Sequence, residues 1–274
     1  ILTTNILDVD NNLIVGDGTN ALTVNADIND PTVDIDGNLT IAASSTFIAS
    51  SGGTFTIGGN LANSGIFTHS NGSVILDAGD TGNTIATNGS DFYSLTFNNA
   101  AGTWSASSAI ESVNQVTITA GSFSMGSNNL AIGSTSVTNS GSLKVASSYT
   151  FNQSSGGTTT ILGSASGSNC LGSTGASCAG TAGTLVFGGL TIGDGATTFT
   201  TTFGGTTPTT TVDATFNITA SATFNAGTGS TLRMTSSGTP FTRSGTFTAG
   251  TATTTFESTS GVSALSSAAM TGSN

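Results

Sequence analysis

The chain has 274 residues, of which 35% are hydrophobic and only 6% charged, with 38 glycines and a formal net charge of −11. Its three cations, Lys144, Arg233 and Arg243, are too few to neutralise a run of phosphates or to hold an anionic bilayer, which excludes nucleic acid and anionic membranes as partners. Apolar residues recur regularly along the whole length, whereas a disordered polar tract lacks them because it cannot bury enough surface to offset ordering entropy.

The first 36 residues are the acidic part. Asp8-Val-Asp10, Asp17, Asp27, Asp30 and Asp34-Ile-Asp36 place seven of the twelve aspartates there. Carboxylates this dense suit a hard cation, so Asp8, Asp10, Asp30, Asp34 and Asp36 are candidate calcium ligands, and calcium is the one cofactor the sequence suggests. The glycine and closing glutamate of an EF-hand are not at their offsets. Alternation with Val9, Val33 and Ile35 equally describes aspartates on solvated strand faces.

From there the chain runs as short alternating segments: Val33 and Ile35, Phe55 and Ile57, Val74 and Leu76, Leu143 and Val145, Tyr149 and Phe151. A period of two is the strand period, and Thr, Val, Ile and Phe dominate these runs while strong helix formers are scarce. Between them stand Gly-Ser, Asn-Gly and Gly-Gly pairs, which supply the positive φ of a tight corner. The chain is therefore all-β.

The runs also repeat over a longer period. Leu13-Ile-Val15, Leu95-Thr-Phe97 and Leu190-Thr-Ile192 are followed at the same offset by Leu22, Trp104 and Phe199. Leu39-Thr-Ile41, Val116-Thr-Ile118 and Phe216-Asn-Ile218 then lead to Phe47, Phe123 and Phe224, and on to Phe55, Leu130 and Leu232. A third landmark pairs Asn63-Ser-Gly65, Asn139-Ser-Gly141 and Arg243-Ser-Gly245 with Phe67, Leu143 and Phe247. These define three degenerate units of about 80–95 residues, near 13–91, 92–184 and 187–274. Tandem sandwiches would need longer strands and bulkier cores. A parallel β-solenoid needs few large residues per strand, since each stacks on its equivalents about 4.8 Å above and below. The expectation is one continuous solenoid over 1–274, with the aligned apolar residues at equivalent buried positions.

The run Gly65-Ile-Phe-Thr-His-Ser-Asn-Gly-Ser-Val-Ile-Leu76, then Asn83-Thr-Ile85 and Phe92-Tyr-Ser-Leu-Thr-Phe97, resembles the repeats of large bacterial surface and secreted β-solenoid proteins, of the adhesin and autotransporter-passenger kind. Phe187-Gly-Gly-Leu-Thr-Ile192 repeats its closing phrase. The resemblance implies an exported fibre or adhesive surface protein. It brings no catalytic residues.

Cys170 and Cys178 are the only cysteines, and their spacing suits a local disulfide in an oxidising compartment. They lie in a segment, 153–184, that interrupts the repeat and is expected to protrude as an inserted loop. Outward threonines account for Thr200-Thr-Thr202, Thr209-Thr-Thr211 and Thr251-Ala-Thr253 better than a regular ice-binding rank does. No apolar run reaches the length of a membrane helix, so membrane insertion is not expected. The chain opens on Ile1 and its third unit thins after Ser260, which reads as a processed form or a segment of something longer.

Catalysis finds little support. His69 is the only histidine and reads as a hydrogen-bonded residue at a strand end; Glu111 and Glu257 are the only glutamates. A polysaccharide-cleaving solenoid groups several Asp, Arg or Lys side chains on one face, which this sequence does not announce. The expectation is thus a non-enzymatic extracellular or cell-surface protein: a self-assembling, head-to-tail fibre subunit whose main partner is itself. The first alternative is an adhesin segment that takes a glycan or protein receptor. A polysaccharide-acting enzyme or phage-type tail spike is the remote one.

Overall fold

A computed structural model describes residues 6–165, 167–175, 178–204 and 210–257, and the strand Leu265–Ser267. The described residues are all-β, with parallel strands wound into a β-solenoid of about 11 turns. Each turn contributes one strand to each of three ladders. In the first, Ile6–Val9 pairs with Thr32–Ile35, which pairs with Phe55–Ile57, which pairs with Ser73–Leu76. The second begins Leu13–Val15, Leu39–Ile41, Leu61–Asn63. The third begins Leu22–Asn25, Ser45–Ile48, Ile66–Thr68. Phe92–Ala106 and Ile110–Gly126 run round corners without a break and so join the ladders.

Why these residues make this shape follows from the alternation. Alternate positions of each short strand point into a narrow prism, and side chains in register stack: Val33, Phe55, Val74, Leu95 and Val116 form one unbroken column, each buried. Aromatic rings bridge the columns. Phe47 stacks on Phe55 at 5.3 Å, and Phe97 lies 4.3 Å from Phe123 and 5.2 Å from Trp104, pairs that contribute roughly 0.5–1.5 kcal/mol each beyond the area they bury.

Corners need left-handed backbone and close approach. At Ser70 and Asn71, φ is 45° and 65°, and the Gly72 N–H donates to the His69 carbonyl at 2.7 Å. Gly65 has no room for a side chain, since a Cβ there would stand 2.2 Å from the Ser45 carbonyl oxygen of the preceding turn.

The corners also carry an amide ladder. Asn38 Nδ2 donates to Asn12 Oδ1 at 2.9 Å, Asn60 Nδ2 to Asn38 Oδ1 at 2.7 Å, and the Thr84 N–H to Asn60 Oδ1 at 2.7 Å. Its trace in the sequence is the dipeptide Asn-Leu at 12–13, 38–39 and 60–61, recurring once per turn.

Two expectations are corrected. Phe47, Phe123 and Phe224 are all buried, but they lie on the third, second and first ladders. Leu13, Leu95 and Leu190 likewise fall on the second, first and third. Each unit therefore ends one face short of a whole number of turns. Since all three faces bury alternate residues, the apolar pattern is blind to this rotation. The third landmark slips further, with Phe67 on the third ladder and both Leu143 and Phe247 on the first.

The second correction concerns 153–184. Thr158–Ile161 and Ser168–Gly172 are ladder strands, paired on both sides. Of the described residues that follow, Ser173–Gly175 and 178–183 lie between the ladder strands Ser168–Gly172 and Thr184–Phe187. The segment reads as a loop because its inward positions hold Gln153, Thr159 and Asn169, all buried, where other turns hold large apolar residues.

Candidate functional site

Register partners Asp8 and Asp34 stand side by side on the outer face of the first ladder. The Asp36 N–H donates to the Val9 carbonyl at 3.0 Å, which sets Asp36 over Asp10 at the end of the same strands. Asp77 follows two turns on, where burial, reinforced by Asp34 and Asp36, pushes its carboxyl above the ordinary carboxylate value. Asp30 is set apart, at the other end of Thr32–Ile35. Its Oδ1 accepts from the N–H groups of Gly52 and Ser51 at 3.0 and 2.9 Å and from the Ser51 and Ser50 hydroxyls at 2.9 and 3.1 Å, bonds that hold its carboxyl below the ordinary value.

Four of the five candidate calcium ligands therefore share one corner and the fifth pins a turn. Among the described residues, no three Asp, Glu, His or Cys side chains come together in a group that could hold a metal ion. His69 accepts the Asn71 N–H at Nδ1 (2.9 Å), with Nε2 3.8 Å from Asp91 and its ring 5.8 Å from that of Tyr93. It is a corner residue, tied into its own turn.

Cys170 and Cys178 are joined in a disulfide. The sequence expects the intervening loop to protrude; of it, residues 176–177 lie outside the described residues, both cysteines are buried, and Leu171 is on the inner side of the first ladder between Leu143 and Phe203. Thr174 is exposed and Gly175 half-buried. The disulfide folds this stretch back on the wall, helped by Ser173 Oγ, which donates to the Ala179 carbonyl at 2.6 Å and accepts the Gly175 N–H at 3.1 Å. Gly204 permits the fit, since a Cβ there would stand 2.8 Å from Cys178 Sγ.

The fold-back produces a lateral cleft of about 550 Å³ that no sequence motif announces, lined by Asn139, Ser142, Lys144, Ser168, Cys170 and Thr202 among others. A second hollow, of about 520 Å³, is apolar and lies at the first turn, against Leu7, Val24, Ala26, Ile28 and Pro31. The threonine arrays split between faces: Thr201 and Thr210 turn inward, fully buried, and their hydroxyls have no hydrogen-bond partner among the described residues.

Compared with protein-family models, curated proteins and solved structures, the chain matches none. No helix among the described residues is long and apolar enough to cross a membrane.

Proposed function

We propose that the chain is a structural, non-enzymatic β-solenoid of an exported surface fibre, lengthening by head-to-tail contact between copies. One observation carries this reading: among the described residues, the apolar interior of the first turn is only partly covered. Among the described residues, its strands Ile6–Val9, Leu13–Val15 and Leu22–Asn25 each have a ladder neighbour on one side only. Leu7, Val9, Leu13 and Val24 are only partly buried, while Ile6, Leu22 and Ile28 are 57%, 46% and 75% exposed. Unpaired parallel strand edges over an apolar interior match another turn of the same geometry better than any other surface. Toward the other end, Phe247 and Phe256 are likewise partly buried against the core. A contact joining unlike ends is heterologous and grows into a filament when it does not close.

The disulfide supports an oxidising compartment, and the likeness to bacterial surface and secreted solenoid repeats supports an extracellular or cell-surface location. Light scattering and negative-stain images of the chain test the reading. Filaments or rods that lengthen with concentration are expected, and removal of residues 1–12 or the pair Leu7→Lys and Val24→Lys should shorten them. A monodisperse monomer at high concentration, with or without calcium, overturns it.

A further inference from the structure

We propose that the disulfide-walled cleft on the side of the solenoid is a binding site for an acidic saccharide, a sugar ring carrying a carboxylate such as a uronate. This extends the adhesive alternative and does not depend on whether copies join end to end.

The volume, about 550 Å³, lies within the range of small-molecule sites. Its chemistry is selective. The chain has 14 acidic residues and three basic ones, yet the lining holds Lys144 and no carboxylate. Lys144 alternates outward between Leu143 and Val145, and its Nζ donates to Gln115 Oε1 at 3.1 Å. That is one of three N–H bonds; the other two have no acceptor among the described residues. Around it stand the hydroxyls of Ser168, Thr174 and Thr202, which make no hydrogen bond among the described residues. Ser142 Oγ accepts the Cys170 N–H at 2.9 Å, which leaves its own hydrogen to donate. Asn139 Oδ1 accepts the Ser168 N–H at 3.2 Å, which leaves its amide N–H groups to donate.

A hydroxyl-rich ligand with one negative charge satisfies this set. An apolar ligand does not, because the lining offers no large aliphatic or aromatic side chain. An extended peptide adding a strand does not either, since Ser142–Val145 and Ser168–Gly172 already have ladder partners on both sides. The cleft is also held in shape before any ligand arrives: the disulfide, the Ser173 bonds and the close approach at Gly204 fix its wall, which lowers the ordering cost of binding.

The test titrates the full chain with glucuronate, glucose and acetate by calorimetry or by amide shifts in NMR, with light scattering read on the same samples so that assembly and binding are scored separately. Glucuronate should bind, with glucose and acetate each clearly weaker. Lys144→Gln should weaken glucuronate by roughly tenfold or more, the size expected for a charge-assisted hydrogen bond. Ser168→Phe, at an exposed position outside the core, should abolish binding by filling the cleft while leaving the melting temperature unchanged. Absence of glucuronate binding, equal binding by both variants, or acetate matching glucuronate would each overturn the proposal, the last by reducing the site to one for simple anions.

Discussion

The turns before Gly126 and those between Ser142 and Met234 are built on the same three ladders but filled differently. In the earlier group, after a longer first turn, register partners on the first ladder lie 19 to 22 residues apart, and aromatic rings run through the interior from Phe47 to Phe123. In the later group the turns around the disulfide lengthen, aromatic pairs continue from Phe151 to Phe241, and polar residues enter the interior: Thr159 and Thr210 between apolar neighbours, and Asn169 and Thr201 as register partners of each other. Some of these polar groups are satisfied, as where Thr159 Oγ1 donates to Gln153 Oε1 at 2.9 Å and Gln153 Nε2 to the Asn128 carbonyl at 2.8 Å. Others are not: among the described residues, Asn169 Oδ1 and the Ser164, Thr201 and Thr210 hydroxyls are buried without partners, against Ser45 Oγ and Trp104 Nε1 in the earlier group. The disulfide lies in this weaker stretch. A repeat protein is stabilised turn by turn against its neighbours, so a local cross-link can offset a locally poor core, and the loop it secures is the one that walls the cleft.

That contrast can be broken most forcefully in the earlier turns. Phe97→Ala removes a ring packed on Trp104 and Phe123 and should cost about 3–5 kcal/mol, read as a loss of urea resistance by circular dichroism. An effect under about 1 kcal/mol would mean that the column is not the principal support of these turns.

In the later turns the largest loss should come from opening the disulfide. With so short a closed loop, Cys170→Ser together with Cys178→Ser should cost about 2–3 kcal/mol. Hydrogen exchange should show the loss confined to the turns around Ser142–Phe203, with amides near Phe55 and Val74 unaffected. Uniform loss would show that the two halves unfold as one.

Thr201→Val and Thr210→Val should sharpen the comparison in the opposite direction. Each replaces a buried hydroxyl that lacks a partner, so each should raise stability by about 1 kcal/mol. Destabilisation by either would reveal a hydrogen bond, through water or otherwise, in the interior.

The smallest effect belongs to the acidic corner. A carboxyl whose value is raised on folding contributes stability that is fully present below the ordinary carboxylate value, near pH 4, and is lost as pH rises through the raised value. Asp77→Asn should therefore be slightly more stable than the parent at neutral pH and converge with it in acid. A gain that persists unchanged below about pH 4 would assign it to packing and not to charge.

Much of this architecture is legible in particular residues. The alternation at Val33 and Ile35 or Val74 and Leu76 is enough for strands, and the glycine and asparagine pairs are enough for corners. The pairing of Cys170 with Cys178 follows from spacing alone. The cleft was not legible, because its lining comes from Asn139, Ser142, Lys144, Ser168 and Thr202, which only stacking of successive turns brings together. The inward turn of Thr201 and Thr210 was hidden as well, since a threonine suits either face of a strand by propensity.

By itself, then, the sequence determined the period of two, the placing of corners and hence an all-β chain of stacked short strands, because these depend on residues close together along the chain. Tertiary structure decided which face each repeat landmark occupies, that Asp30 is separated from Asp34 and Asp36, and that an apparent insertion supplies two strands of the wall. These depend on register, and register in a solenoid is set by hydrogen bonds and side-chain stacking between turns more than twenty residues apart, as between Asn12 and Asn38.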